Sequence, residues 1–104
     1  MHLDPYGVPT VDVAELVADP DAYVLDVREV DEFASGHVPG AVSIPMSVLP
    51  VRVQDVPRDR RVSVICRSGA RSAQVVQWLN PQGFDSVNVA GGTLAWVAAG
   101  HAVE

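Results

Sequence analysis

Cysteine occurs once in this chain, at Cys66, and lysine does not occur at all. A single cysteine excludes an intramolecular disulfide and with it any disulfide-stapled framework. It suits a reducing compartment, so a cytoplasmic location is the expectation. The three histidines, His2, His37 and His101, are scattered and share no metal-ligand spacing with Cys66, so no metal site is expected. Seven arginines stand against 13 acidic residues, for a formal net charge of −6. A nucleic-acid binder would carry a basic patch or stripe. The one basic cluster, Arg58, Arg60 and Arg61, reads instead as a solvated loop before a strand. Small anions remain candidate ligands, because local arginines and backbone amides matter more to them than net charge. No apolar run approaches the roughly 20 residues of a membrane span. The opening Met1-His2-Leu3-Asp4-Pro5 has no basic stretch leading into an apolar one, so no secretion signal or membrane contact is expected.

What is present is enough for one core: 104 residues, 48% of them hydrophobic, with no repeat and no low-complexity segment. One domain over residues 1–104 is the expectation. Short apolar runs alternate with helix-like stretches. Val8 to Val11 reads as a first strand, which Pro9 would confine to a sheet edge. Asp12 can cap a helix through Val17, with Glu15 completing a capping box, and Asp19-Pro20-Asp21 breaks it. Tyr23 to Val27 reads as a buried strand carrying one carboxylate, Asp26. Glu29 to Ser35 reads as a short helix stopped by Gly36. Val42 to Ile44 is a short strand, and Met46 to Val56 is partly helical around Pro50. Val62 to Ile65 is the clearest central strand. A helix with Ala73, Val76 and Leu79 on one face follows it, then a strand from Phe84 to Val89 and a helix from Thr93 to Ala99. The alternation implies an α/β fold: a mostly parallel central sheet of about five strands with helices on both faces. In such sheets ligands bind at the carboxyl ends of the strands, and Cys66 lies at one of those ends.

The segment Cys66-Arg67-Ser68-Gly69-Ala70-Arg71-Ser72 carries the chemistry. A thiol between a strand and a helix faces the positive end of the helix dipole. Amides of the loop and first turn have no intrahelical acceptors and can point at the sulfur. Both effects favour thiolate, as does nearby Arg71, and Gly69 permits the curvature that turns the amides inward. A lone cysteine closing an apolar strand is often only a small buried hydrophobe. An ordinary strand-to-helix turn, however, has no need of two arginines flanking a glycine. An anion-binding nest without chemistry stays open on these residues alone.

Cys66 to Ser72 resembles the active-site loop of rhodanese-like sulfurtransferases. Leu25-Asp26-Val27-Arg28-Glu29, Glu32-Phe33, Gly36-His37-Val38-Pro39-Gly40-Ala41 and Ile44-Pro45 are similar, in order and spacing, to that family's N-terminal signature. Gly91-Gly92, Ala95-Trp96 and Gly100 are similar to its C-terminal one. Related cell-cycle phosphatases use a loop one residue longer, whereas Cys66 and Arg71 here are separated by four residues. By that resemblance the smaller ring suits a sulfane sulfur better than a phosphoryl group.

The resemblance implies a sulfurtransferase that forms a persulfide on Cys66, held by the amides of Arg67, Ser68, Gly69, Ala70, Arg71 and Ser72. Its donor would be thiosulfate or a related anion, and its acceptor a thiol, cyanide or a protein, with no cofactor. Arg67 would attract the donor, and Arg71 would brace the loop and the thiolate. Asp26 and Arg28 would support the site, Asp26 by bonding loop amides and Arg28 by pairing with a carboxylate such as Glu32. His37 belongs to turn architecture, and Trp78 and Trp96 read as core or helix-packing residues. Asn80-Pro81 and Pro50 depart from the family pattern and predict interrupted helices. The competing readings are a sulfur carrier acting between proteins and a regulatory module that only binds.

Overall fold

The computed structural model describes residues 1–104. The β-branched, apolar runs Tyr23–Asp26 (β3), Val62–Ile65 (β5) and Ser86–Val89 (β6) lie side by side in parallel as the centre of a sheet. Nearly every residue in them is buried, as a strand covered on both faces requires. Val42–Ser43 (β4) extends the sheet beyond β3, and Pro9–Val11 (β2) extends it beyond β6, both in parallel. A two-residue strand, His2–Leu3 (β1), closes the β2 side antiparallel, giving the order β1-β2-β6-β5-β3-β4.

The expected mostly parallel sheet is present, with six strands. One expectation is corrected: β2 is not an edge, because Pro9 begins the strand, where its missing N–H is tolerated, and β1 covers the outer side.

Four helices connect the strands, Val13–Val17 (α1), Val30–Ala34 (α2), Leu49–Arg52 (α3) and Ala70–Leu79 (α4), and a fifth, Gly92–Ala98 (α5), follows the last strand. The capping box at α1 forms as its residues dictate. The Asp12 carboxylate accepts from the Glu15 amide at 2.7 Å and Glu15 accepts from the Asp12 amide. Pro50 falls in the first turn of α3, where a proline costs nothing, and a 3-10 turn over Val53–Asp55 follows. Asn80-Pro81 does end α4, in a 3-10 turn over Asn80–Gln82. The Asn80 side chain then donates to the Ser86 carbonyl and accepts from its amide, setting the start of β6. Phe84 therefore precedes the strand and packs in the core.

Strand alternation sorts the side chains between the two faces. Leu25, Val27, Val62, Val64 and Cys66 pack with Leu49 of α3 and with Val75, Val76 and Leu79 of α4. Val24, Ile65, Val87 and Val89 pack on the other face with Val13 and Leu16 of α1 and with Ala95 and Trp96 of α5. Trp96 thus packs against the core, and its Nε1–H donates to the Ala102 carbonyl. Trp78 departs from expectation: it is 40% exposed, beside Met46, Leu49 and Pro50 on the surface between α3 and α4. No helix is long and apolar enough to cross a membrane.

From β3 the chain runs outward to β4, and from β5 it runs the other way to β6. The loops leaving β3 and β5 therefore diverge, and a crevice opens at the carboxyl ends of the strands.

Candidate active site

Period-2 alternation along β5 places Cys66 on the α4 face, where it is 1% exposed. The chain then turns within three residues. Gly69, at φ +102°, is the left-handed residue that starts α4. This turn swings the Gly69 amide back onto the Cys66 sulfur, so that its N–H donates to Sγ at 3.1 Å. One turn into α4, Ser72 Oγ lies 3.2 Å from the same sulfur. Burial pushes the Cys66 thiol up. The Ser72 hydroxyl and the amides of Ser72, Gly69 and Ser68 outweigh it, leaving the thiol below its ordinary range. Thiolate character therefore comes chiefly from neutral donors wrapped round the sulfur.

Two supports hold this loop. The first is the β6–α5 junction. Gly92 adopts φ +59° with no room for a Cβ, which would stand 2.4 Å from the Cys66 carbonyl and 2.6 Å from that of Arg67. The close approach lets the Thr93 and Leu94 amides bond those carbonyls at 2.9 and 3.1 Å, with Thr93 Oγ1 adding a bond at 3.0 Å. The Gly91-Gly92 pair therefore acts by shape.

The second support is an ion pair between distant helices. The Arg71 guanidinium binds both carboxylate oxygens of Glu32 in α2, each at 2.8 Å. That guanidinium holds the Glu32 carboxyl down at about 2, and Glu32 raises Arg71 in turn. A separate ion pair lies at the end of β3. Asp26, fully buried, takes the Arg28 amide at 3.0 Å and its guanidinium Nη2 at 2.8 Å, and Nη2 also donates to the Gly36 carbonyl at 2.8 Å. Arg28 thus pairs with Asp26 rather than with Glu32. Residues two apart in extended chain share a side, and Glu32 is already committed to Arg71.

Asp26 and Arg28 fasten the end of β3 to the turn after α2, and no hydrogen bond links either to Cys66. His37 accepts no catalytic geometry: Nδ1 lies 2.9 Å from the Phe33 carbonyl and the ring stacks on Phe33. Arg67 is exposed and has no carboxylate partner. It opens on a crevice shared with Arg28, Glu32, Thr93 and Leu94. With Arg28 and Arg71 both matched by carboxylates, Arg67 is the uncompensated cation at this end of the sheet.

The sequence reading missed Asn88. It sits on the α4 face of β6 opposite Val64, buried, with Oδ1 2.6 Å from Ser72 Oγ and Nδ2 donating to the Gly69 carbonyl at 3.2 Å. The available signal was a side-chain amide between two valines, Val87 and Val89, of a buried strand.

Residues 10–99 match the model of the rhodanese-like domain. The chain belongs to the rhodanese-like family. Over 82 residues it is 44% identical to "Putative sulfurtransferase YtwF" of Bacillus subtilis, covering 79% of this chain and 80% of that protein. A protein named "Sulfurtransferase" from Allochromatium vinosum is 42% identical over 81 residues, 77% of this chain and 76% of its own length. "Putative sulfur carrier protein YrkF" of Bacillus subtilis is 35% identical over 80 residues, 76% of this chain, but only 43% of that protein is matched. Among solved structures, a rhodanese-related protein from Thermoplasma volcanium superposes with a TM-score of 0.89 at 36% identity, over 92% of this chain and 97% of that one. The rhodanese-like fold and a family-level role in sulfur transfer follow.

Proposed function

We propose that this rhodanese-like domain is a cytoplasmic sulfurtransferase that moves a sulfane sulfur from thiosulfate, or a related anion, through a persulfide on Cys66. The observation that carries the proposal is a buried sulfur, the chain's only thiol, held by the Gly69 amide and the Ser72 hydroxyl. In the first step the thiolate attacks the outer sulfur of thiosulfate. An S–S bond to Cys66 forms, the donor S–S bond breaks, and its electron pair leaves on sulfite. The negative charge passes to the outer sulfur of the persulfide, and no proton moves. An acceptor, either cyanide or a thiolate, then attacks that outer sulfur and releases the Cys66 thiolate. Loop amides serve the anionic sulfur as an oxyanion hole serves oxygen. So buried a sulfur admits only a slender donor with an exposed sulfur atom, and uncompensated Arg67 gives an anionic donor a cationic guide.

A second reading, a carrier loaded by one protein and unloaded by another, draws support from the likeness to the sulfur carrier relative. Steady-state thiocyanate production from thiosulfate and cyanide separates the two. Continuous turnover is expected of the enzyme. A single loading followed by arrest, relieved only by a protein acceptor, would replace it with the carrier.

A further inference from the structure

The Ser72 hydroxyl has one proton and two claimants: Asn88 Oδ1 at 2.6 Å and Cys66 Sγ at 3.2 Å. Asn88 cannot turn away. Its Nδ2 is engaged by the Gly69 carbonyl at 3.2 Å, and a half-turn of the amide would set Oδ1 against that carbonyl, acceptor to acceptor. We propose that Asn88 is a positioning residue that limits the fraction of Cys66 present as thiolate by competing with its sulfur for the Ser72 proton.

With Cys66 as a thiol every group is satisfied: S–H points to Ser72 Oγ, and Ser72 donates to Asn88. Loss of the thiol proton calls the hydroxyl over to Sγ and leaves Asn88 Oδ1, inside a buried strand, without its donor. Deprotonation therefore works against the cost of an unpaired buried carbonyl. Once Cys66 carries an outer sulfur, the charge has moved off Sγ and the hydroxyl returns to Asn88. Ser72 is in this view a toggle, and Asn88 is its resting stop.

The charged groups around Cys66 are few. Arg67 follows it in the chain, Arg71 of α4 is matched by Glu32 of α2, and Asp26 and Arg28 pair at the end of β3. Arg52, the charge on α3, pairs with Asp55, while β5, β6 and α5 carry none. None of these changes in the variants that test the toggle.

The test is the pH dependence of Cys66 alkylation by iodoacetamide, with thiolate absorbance as a second readout, in wild type, Asn88→Leu, Ser72→Ala and the double variant. Asn88→Leu keeps the shape and removes the acceptor. It is expected to lower the thiol midpoint and raise the rate on the acid limb by about tenfold, the equivalent of one pKa unit. Ser72→Ala should raise the midpoint, and in that background Asn88→Leu should change nothing. A rise or no change in Asn88→Leu, or an equal shift without Ser72, overturns the proposal. If the leucine variant does not fold, the side-chain amide resonances of Asn88 in the wild type must move with the thiol titration, and amide signals blind to it refute the toggle. The inference rests on Cys66 as the reacting sulfur. Because the titration reads the thiol itself, failure to load sulfur would count against the proposed transfer alone.

Discussion

Replacing Gly92 by alanine tests whether the C-terminal glycines hold the Cys66 loop by close approach. At φ +59° a non-glycine residue is strained, which costs about 1–2 kcal/mol. The new Cβ would also stand 2.4 Å from the Cys66 carbonyl oxygen and 2.6 Å from that of Arg67, and backbone atoms cannot swing aside as a side chain can. Restoring ordinary contact requires the loop and α5 to part by about 1 Å. That stretches the three hydrogen bonds from the Thr93 amide, the Thr93 hydroxyl and the Leu94 amide, each contributing about 1 kcal/mol. A total near 4 kcal/mol places the substitution among the most damaging single changes. Gly40→Ala is the control: it has a similar φ of +80° and nothing within 4 Å of the added carbon, so it carries the strain alone. Urea unfolding of both variants at unchanged slope measures the difference. Gly92→Ala should lose about 3 kcal/mol more than Gly40→Ala. Losses equal within error would show that the close approach is not what holds the loop.

Three further predictions follow from the site. Asp26→Ala leaves the buried Arg28 guanidinium with only the Gly36 carbonyl, and a loss of about 3–5 kcal/mol is expected in denaturant unfolding; a loss below about 1 would mean the pair is dispensable. Glu32, held at about 2 by the Arg71 guanidinium, stabilises the fold fully above the ordinary carboxylate value of about 4.3, and that contribution fades as pH falls from there toward about 2. Both partners are near one-third exposed, so screening limits the pair to roughly 1 kcal/mol; relative to Glu32→Gln, wild type should lose its advantage across that acid window, and a pH-independent difference would refute the assignment. Arg67→Ala should raise KM for thiosulfate several-fold and leave kcat nearly unchanged, since it removes attraction felt equally before and during reaction; a fall in kcat alone would place Arg67 at the reacting sulfur instead.

Much of this architecture is legible because its causes are local. Asp12 and Glu15 cap α1 through bonds three residues apart, and the strand-turn-helix at Cys66 to Ser72 declares itself through β-branched residues, one glycine and the helix that follows. Partnerships across the sequence are not legible in that way. Arg71 and Glu32 are 39 residues apart, and Glu32 could equally have served Arg28 until the packing of α2 against the loop was known. Asn88 becomes meaningful only once β6 is known to neighbour β5, which puts its amide beside Ser72. β1 has no apolar pattern of its own and exists through backbone pairing with β2. Trp78 misleads because a helical stripe marks the buried face only when a partner covers all of it, and the surface between α3 and α4 leaves this ring partly in solvent.

The measurement that bears most directly on the central claim is the intact mass of the protein after incubation with thiosulfate, read beside Cys66→Ser. The wild type alone should gain the mass of one sulfur atom and lose it on addition of cyanide or a thiol. No gain while Cys66 still reacts with an alkylating agent, or an equal gain in Cys66→Ser, would contradict a persulfide at this residue.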